Sequence, residues 1–320
     1  MNDYKMNQKI QELQELQKLP LERKIGIAQA RIAEWYEHFN GNVYISFSGG
    51  KDSTVLLDIV RKMYPDVEAV FSNTGLEYPE IVSFVKSFDN ITVIRPKKSF
   101  KQVLEKYGYP VISKEQSFYI SNYRNTKSEK LKKLRMEGDK DGNYKISDKW
   151  KYLVDAPFEI SSECCNVLKK KPFKYFEKTT NKKAIIGVLA EESILRKSNW
   201  YKYGCNMFEA KRQVSKPLSV WREQDVLEYI KKFNLSYASV YGELKQDIYG
   251  KYYFTGEQRT GCIFCMYGCH LEKNPNRFQK LAVTHPKLYD YCINKLKLGE
   301  ILDYIGVDYK PYKEISLFKD

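Results

Sequence analysis

Two kinds of hydrophobic pattern alternate along residues 42–235 of the chain. Short apolar, β-branched runs have the length and composition of buried strands. They fall at Val43–Phe47, Val67–Asn73, Ile91–Pro96 and Ala184–Ala190. Between them apolar residues recur at helical spacing, notably from Pro79 and over Arg222–Phe233. This alternation predicts an α/β fold in which a parallel sheet carries helices on both faces.

The flanking segments have a helical and more charged pattern. Residues 1–40 are predicted to form an N-terminal helical segment that serves packing rather than function, and residues 236–320 a C-terminal, cysteine-containing helical region. The α/β domain then spans 41–235. Within it, Arg124–Lys151 has ten Lys and Arg residues, few apolar residues and two glycines, which predicts a mobile basic insertion or a linker.

The corner between the first strand and the helix after it concentrates small and polar residues in the sequence SGGKDS, Ser48–Ser53. Backbone N–H groups are free at such a corner and the helix dipole is positive there. The absent side chains of Gly49 and Gly50 let an anion approach closely, so the corner favours a phosphate group. A Walker-type loop is excluded, because Asp52 follows the lysine where Ser or Thr is required.

This loop resembles the pyrophosphate-binding loop of the PP-loop ATP pyrophosphatases, a Rossmann-like superfamily. It includes phosphoadenylylsulfate (PAPS) reductases, the small subunit of ATP sulfurylase and tRNA- and DNA-thiolating enzymes. Three further segments are similar to the family's: SNTGLEYPE at Ser72–Glu80, GVLAEESILR at Gly187–Arg196 and KPLSVWREQDVLEYI at Lys216–Ile230. Asn73 stands where the family usually has Asp. The resemblance covers roughly residues 40 to 280.

The resemblance implies that the loop holds the β,γ-phosphates of ATP with Mg²⁺. The implied catalytic residues are Lys51, which neutralises charge, Asp52, which helps to position the metal, and Arg196. The implied nucleotide-binding residues are Ser46, Ser48, Gly49, Gly50, Lys51, Asp52, Ser53, Asn73, Thr74, Gly75 and Glu192.

Composition and charge indicate the kind of partner and the cellular compartment. The 320 residues are 42% hydrophobic and 29% charged, and the net charge is +14, which favours an anionic partner beyond a single nucleotide. The longest apolar run, AIIGVLA, is too short to span a bilayer, and the N-terminus has no apolar signal core. We therefore expect a cytoplasmic protein without a membrane partner, in which seven cysteines serve metal binding or redox chemistry rather than disulfides.

Four of the cysteines form two pairs. Cys164 and Cys165 are adjacent, and Cys262 and Cys265 form a C-x-x-C pair that begins 97 residues after Cys165. Spacing alone leaves zinc and a four-iron cluster open, since both accept four thiolates. The pattern is similar to the [4Fe–4S] motif of assimilatory adenylylsulfate reductases, which implies that cluster, with zinc as the alternative.

The remaining cysteines receive separate predictions. Cys205 and Cys292 are expected to be buried and unreactive. Cys269 is a fifth nearby thiol that could replace a ligand or act chemically, and His270 beside it is expected to be structural or solvated.

The sequence leads to one preferred function and two alternatives. We expect an ATP pyrophosphatase that forms AMP and pyrophosphate and activates an acceptor, tRNA or DNA, for sulfur transfer from a donor protein. The first alternative is a sulfonucleotide reductase, although the reductases' C-terminal Cys-Gly-x-His element does not occur after Cys292 and the loop is intact. The second is a non-catalytic regulator that binds nucleic acid, which the basic insertion would allow.

Overall fold

The computed structural model describes residues 3–311, so the terminal stretch YKEISLFKD, 312–320, lies outside the described residues. The chain divides into two compact units. The first contains residues 3–73, Glu77–Arg95 and Pro172–Thr260. The second contains Thr74–Leu76, Pro96–Lys171 and residues 261–311. The division of the chain into domains at 1–40, 41–235 and 236–320 stays a prediction.

A parallel sheet of five strands forms the centre of the first unit, in the order β3-β2-β1-β4-β5. Ile45 pairs with Ala69 on one side and with Ile185 on the other, which fixes the register of the central strand. The strands are β1 Val43–Ser46, β2 Ala69–Ser72, β3 Ile91–Ile94, β4 Lys183–Ile186 and β5 Val214–Ser215.

Helices connect and cover these strands. The α-helices of the described residues are α1 Asp3–Lys18, α2 Leu21–His38, α3 Lys51–Met63, α4 Pro79–Lys86, α5 Phe100–Tyr107, α6 Lys114–Asn125, α7 Glu129–Glu137, α8 Lys171–Thr180, α9 Ile194–Tyr203, α10 Glu223–Lys232, α11 Arg277–Thr284, α12 Pro286–Asp290 and α13 Leu298–Tyr304.

Aromatic side chains show which helices cover which face of the sheet. Tyr44 of β1 packs on Phe176 of α8, with ring centroids 5.0 Å apart. Phe47 lies three residues further along and so points to the opposite face, where it packs on Phe84 of α4 at 6.5 Å. Helices therefore cover both faces, and the predicted α/β fold class is confirmed.

The basic stretch Arg124–Lys151 has regular local structure, and its expected role as a mobile insertion or a linker stays a prediction. It contains α7, which the Ser128 hydroxyl caps by accepting from the N–H of Leu131 at 3.3 Å. The Arg135 guanidinium of α7 is buried, lies 4.3 Å from the ring centroid of Tyr119 and donates to the carbonyl of Tyr144 at 2.8 Å.

The region expected to be C-terminal and helical also contains an antiparallel hairpin. Its strands are β6 Leu244–Gln246 and β7 Tyr252–Phe254, and both belong to the first unit. We call residues 237–260, which include this hairpin, the strap. Within residues 3–311, none of the helices combines the length and the apolar character that a bilayer crossing requires.

Candidate functional site

The predicted phosphate loop joins the carboxyl end of β1 to the first turn of α3. The Ser53 hydroxyl accepts from the N–H of Ser48 at 3.2 Å, and the two serine hydroxyls are 3.0 Å apart. Gly49 has φ +71°, and a Cβ there would lie 2.7 Å from a methyl group of Val85 and 2.9 Å from one of Ile81. Glycine is thus required by both conformation and space.

The missing side chain of Gly50 matters for a different reason. Its φ of −78° suits any residue, but a Cβ would point at three hydroxyl oxygens. These are Ser48 Oγ at 3.2 Å, Thr260 Oγ1 at 3.3 Å and Tyr241 Oη at 3.4 Å. The space above Gly50 is therefore small and lined by hydrogen-bonding groups, two of which come from the strap and were not predicted from the sequence.

Lys51 begins α3 and is buried. Its Nζ donates to the carbonyl of Gln258 at 2.8 Å and lies 3.1 Å from a carboxylate oxygen of Glu223. Its backbone N–H donates to the Tyr241 hydroxyl at 3.0 Å. Sequence reasoning identified Lys51 but none of these three partners.

Asp52 follows in the same turn, and burial raises the pKa of its carboxyl group. The positive charges of Lys51, Arg196 and Arg259 oppose this effect, while Glu223 reinforces it. The Oδ1 atom is buried without a hydrogen-bond partner in the described part of the chain. A carboxylate oxygen without a partner beside the loop fits the hard oxygen ligand that Mg²⁺ prefers.

Glu192 and Arg196 lie after β4. They form an ion pair, and Glu192 also accepts from the N–H of Leu189 at 3.0 Å. Ser193 caps α9 by accepting from the N–H of Arg196 at 3.2 Å. Burial lowers the pKa of Arg196, and its charge acts on Asp52. The structure therefore brings the three predicted catalytic residues, Lys51, Asp52 and Arg196, into one electrostatic group.

The other predicted nucleotide-binding residues are divided between the two units. Ser46 ends β1, and Asn73 follows β2 with its N–H donating to the carbonyl of Ile94 at 2.9 Å. Thr74 and Gly75 belong to the second unit, where the Thr74 hydroxyl accepts from the N–H of Leu76 at 3.3 Å.

All four predicted metal ligands lie in the second unit. Cys164 and Cys165 begin a helical segment, and their Sγ atoms are 3.9 Å apart. Cys265 donates its N–H to the carbonyl of Cys262 at 3.1 Å, which closes the C-x-x-C turn. The hydrogen bond with Cys165, burial and the negative charges of Cys265 and Cys262 raise the pKa of Cys164. The two pairs are thus close enough to interact.

The surroundings of the thiols are basic and constrained. Arg277 donates from Nη1 to the carbonyl of Cys265 at 2.8 Å. Ile112, whose φ of +61° is strained for a β-branched residue, accepts from the N–H of Gly268 at 2.8 Å just beyond the turn. Residues 166–170, after Cys165, form a π-helical turn, a feature frequent at functional sites.

The donor set fits a thiolate-bound metal, although the described residues contain no group of three or more Cys, His, Asp or Glu side chains placed to hold a metal ion. Four cysteine thiolates are a usual ligand set of structural zinc and of [4Fe–4S] clusters, and this chain supplies them as two pairs. Tetrahedral zinc with bonds of about 2.3 Å would set sulfur atoms about 3.8 Å apart, close to the spacing of Cys164 and Cys165.

The other thiols differ from this set. Cys269 is buried, its thiol donates to the carbonyl of Met266 at 3.0 Å, and burial raises its pKa to about 12. Cys205 and Cys292 are buried, and burial raises the pKa of each. The His270 ring packs edge-on against Trp150 at 5.1 Å.

Comparison with known proteins identifies the family. A family model described as the phosphoadenosine phosphosulfate reductase domain matches residues 42–267, more than two thirds of the chain. The chain belongs to this family. The matched range includes the glycine loop, the strap and the four paired cysteines of this PAPS reductase family member.

Similar proteins include two from Methanocaldococcus jannaschii. The uncharacterized protein MJ0973 is 26% identical over 274 residues, which cover 83% of this chain and 51% of that protein. The uncharacterized protein MJ0066 is 36% identical over 84 residues, or 25% of this chain and 18% of that protein. The chain thus spans about half the length of the first relative. A PAPS reductase structure from Candida auris, in a phosphate complex, is 15% identical with a TM-score of 0.39 and covers 70% of this chain and 89% of that one.

Proposed function

We propose that this PAPS reductase family chain binds Mg-ATP at Ser48–Ser53 and cleaves it to AMP and pyrophosphate while activating an acceptor for sulfur transfer. The observation that carries the proposal is the group of interacting charges at an intact loop, of which the Lys51 side chain is buried. Lys51, Asp52 and Arg196 interact at the start of α3, and Arg259 adds a further positive charge. A helix N-terminus with these cations suits a polyphosphate.

Each residue has a distinct part in this proposal. The N–H groups of Gly50 and Lys51 donate to Ser48 Oγ at 3.3 Å and to the Tyr241 hydroxyl at 3.0 Å, and they would donate to phosphate oxygens instead when a nucleotide binds. The Lys51 ammonium group would balance the phosphate charge. Asp52 would hold Mg²⁺ through its unpartnered Oδ1. When bound, Mg²⁺ would neutralise the pyrophosphate leaving group. Arg196 and Arg259 would stabilise the charge that develops on the phosphates.

The reaction joins an acceptor oxygen to the α-phosphorus and breaks the bond to the β-phosphate oxygen, which leaves as pyrophosphate. Hydrosulfide delivered by a donor protein then forms a bond to the activated acceptor carbon and displaces AMP, so the sulfur enters at the sulfide level and no reductant is needed. The oxygen lost from the acceptor leaves on the AMP phosphate. The nucleotide-binding roles of Ser46, Ser48, Gly49, Ser53, Asn73, Thr74, Gly75 and Glu192 are part of the same proposal.

The thiol site is proposed to hold a [4Fe–4S] cluster through Cys164, Cys165, Cys262 and Cys265, with zinc as the alternative. A cluster of this type supplies one-electron chemistry when bound. The chain's own contribution is to fix the ligands, since Arg277 holds the backbone of the turn at Cys265.

A sulfonucleotide reductase is the second candidate, favoured by the description of the family model. A sulfonucleotide offers adenine and phosphate groups to the same loop but cannot release pyrophosphate. The acceptor partner is proposed to be tRNA or DNA, because Pro96–Lys171 contains 18 Lys and Arg residues against 10 Asp and Glu residues.

The test is exchange of radiolabelled pyrophosphate into ATP, with and without acceptor RNA or DNA, in anaerobically purified protein. We expect exchange that needs Mg²⁺ and is lost in Gly50→Ala, whose Cβ would fill the space above the loop without straining the backbone. Tight adenylylsulfate binding without exchange would favour the reductase. If the protein binds nucleic acid but shows neither pyrophosphate exchange nor sulfonucleotide binding, a regulator is favoured.

A further inference from the structure

The groups of the loop best suited to bind phosphate already have oxygen partners from the chain itself. The Lys51 N–H donates to the Tyr241 hydroxyl, and the Lys51 ammonium group is bound by the Gln258 carbonyl and the Glu223 carboxylate. Two of these three oxygens belong to the strap. An N–H at a helix N-terminus and a buried lysine are the groups that an anion would need, so a bound phosphate would require groups that the strap already contacts.

Tyr241 is held firmly in this position. Its side chain is only 1% exposed, its ring packs on Phe254 with centroids 4.8 Å apart, and its hydroxyl is 2.8 Å from Thr260 Oγ1. Burial raises the pKa of the phenol, so it stays neutral at physiological pH. A neutral hydroxyl satisfies the Lys51 N–H but cannot balance the lysine charge as a phosphate can.

The base of the strap is also built as one hydrogen-bonded element. Gly256 donates its N–H to the carbonyl of Tyr241 at 2.8 Å, and Glu257 donates to Val240 at 3.0 Å. A Cβ at Gly256 would lie 2.8 Å from the Tyr241 carbonyl carbon, so the two chain segments touch through their backbones. Movement of the Tyr241 hydroxyl away from the loop would therefore move the base of the hairpin with it.

We propose that Tyr241 is an internal competitor for the phosphate site, whose hydroxyl must leave the Lys51 N–H before a nucleotide or pyrophosphate can bind. This inference rests on the proposed use of the Ser48–Ser53 loop. It assigns Tyr241 a role as a residue that lowers nucleotide affinity and links occupancy of the loop to the position of the strap.

Tyr241→Phe tests the inference because it removes the hydroxyl and keeps the ring. The matched control is Tyr237→Phe, since Tyr237 also packs on Phe254, at 4.7 Å, and its hydroxyl also accepts a backbone N–H, from Leu244 at 3.2 Å. Calorimetric titration with ATP and with inorganic pyrophosphate should give dissociation constants about twofold to tenfold lower for Tyr241→Phe than for the wild type. This range corresponds to the net free energy of one hydrogen bond. Tyr237→Phe should match the wild type.

Hydrogen exchange gives a second measurement. Pyrophosphate should speed exchange in peptides from residues 237–260 of the wild type, because the strap loses its contact with the loop. Weaker binding by Tyr241→Phe, or slower exchange in the strap, would show that Tyr241 is a phosphate ligand and would overturn the inference. Unchanged binding would also overturn it. If the wild type and both variants bind neither ATP, pyrophosphate nor adenylylsulfate, the proposed function itself fails, and the inference with it.

Discussion

Gly187 lies directly against the backbone of Asp52. A Cβ at Gly187 would stand 2.8 Å from the Asp52 carbonyl oxygen and 3.1 Å from the Cα of Ser53. Gly187 follows β4, so this approach sets the distance between the end of that strand and the first turn of α3. The segment with Glu192 and Arg196 leaves the sheet from the same point, which explains how the acidic and basic residues reach the loop.

Gly187→Ala should damage the phosphate site. Its Cβ meets backbone atoms that have no room to rotate away, so α3 must shift, and a displacement of this kind is expected to weaken ATP binding about tenfold or more. The free energy of unfolding should fall by about 1–3 kcal/mol. Calorimetric titration and chemical denaturation measure the two effects.

The control is Gly26→Ala in α2, where an added Cβ meets no atom within 4 Å. This change should leave ATP binding unaltered and raise stability by about 0.5–1 kcal/mol. Equal ATP affinity for Gly187→Ala and the wild type would contradict the proposed place of the phosphates.

An ion pair between Glu68 and Lys182 lies at the amino ends of β2 and β4, the ends of the strands remote from the phosphate loop. Burial alone would raise the pKa of Glu68, but hydrogen bonds from Lys182 and Thr92 lower it below its ordinary value of 4.5. A lowered pKa in the folded state adds stability above the unfolded pKa, and this is lost as pH falls through the folded value. Glu68→Gln should thus cost about 1–2 kcal/mol at pH 7 and progressively less below pH 4.5.

Denaturation midpoints measured across this pH range check the effect. Glu129→Gln is the comparison, because that carboxylate pairs with Lys132 while 83% exposed and should add little at any pH. A Glu68→Gln difference that did not shrink in acid would show that packing, rather than charge, holds this residue.

Metal analysis should distinguish the four paired cysteines from Cys269. Cys165→Ser and Cys265→Ser should lose iron and sulfide from anaerobically purified protein, because both thiols belong to the paired set. Cys269→Ala should keep them, because its thiol donates to the carbonyl of Met266 and burial raises its pKa. Stoichiometric zinc without iron would establish the alternative metal. Loss of metal in Cys269→Ala would make Cys269 a ligand.

Local patterns explain why the sheet and the loop were predictable. Strand periodicity and the sequence Ser48–Ser53 are properties of neighbouring residues, and the structure has strands and the corner where these patterns place them. The strand predicted at Ala184–Ala190 ends earlier, at Ile186, because Gly187 packs on Asp52 and Ala190 begins a short 3₁₀ turn. Apolar composition alone does not reveal such a contact.

Other features escaped sequence reasoning for two reasons. Tyr241 reaches Lys51 across 190 residues of chain, and nothing in its neighbourhood marks a tyrosine that contacts a backbone N–H. The helix α7 did leave a local signal, because Ser128 caps it and Gly138 ends it with φ +90°. The abundance of lysine hid that signal, since several of these lysines pair with acidic residues one helical turn away.

Those ion pairs show which lysines are available to contact a nucleic-acid partner. In the stretch Arg124–Lys151, the exposed lysines Lys127, Lys130 and Lys140 form no salt bridge or cation–π contact within the described residues, whereas Lys132 and Lys133 are paired with Glu129 and Glu137. Lys149 is also exposed and forms no salt bridge in the described part of the chain, but its Nζ lies 4.8 Å from the ring centroid of Trp150. If tRNA or single-stranded DNA binds here, the unpaired lysines are the ones able to release counterions. Each contact should contribute roughly −0.7 to the log–log slope of affinity against salt on a single strand.

Changing these three lysines together to glutamine should therefore reduce the magnitude of the slope by about 2. The control changes Lys9, Lys18 and Lys232 to glutamine. These lysines pair with Glu12, Glu15 and Glu22, and changing them removes the same formal charge. Because general electrostatic attraction depends on net charge, a nonspecific effect would lower affinity equally in both triple variants. A change in slope confined to the variant of Lys127, Lys130 and Lys140 would instead place phosphate contacts on these residues. Equal slopes for all three proteins would remove these three lysines from the proposed acceptor site.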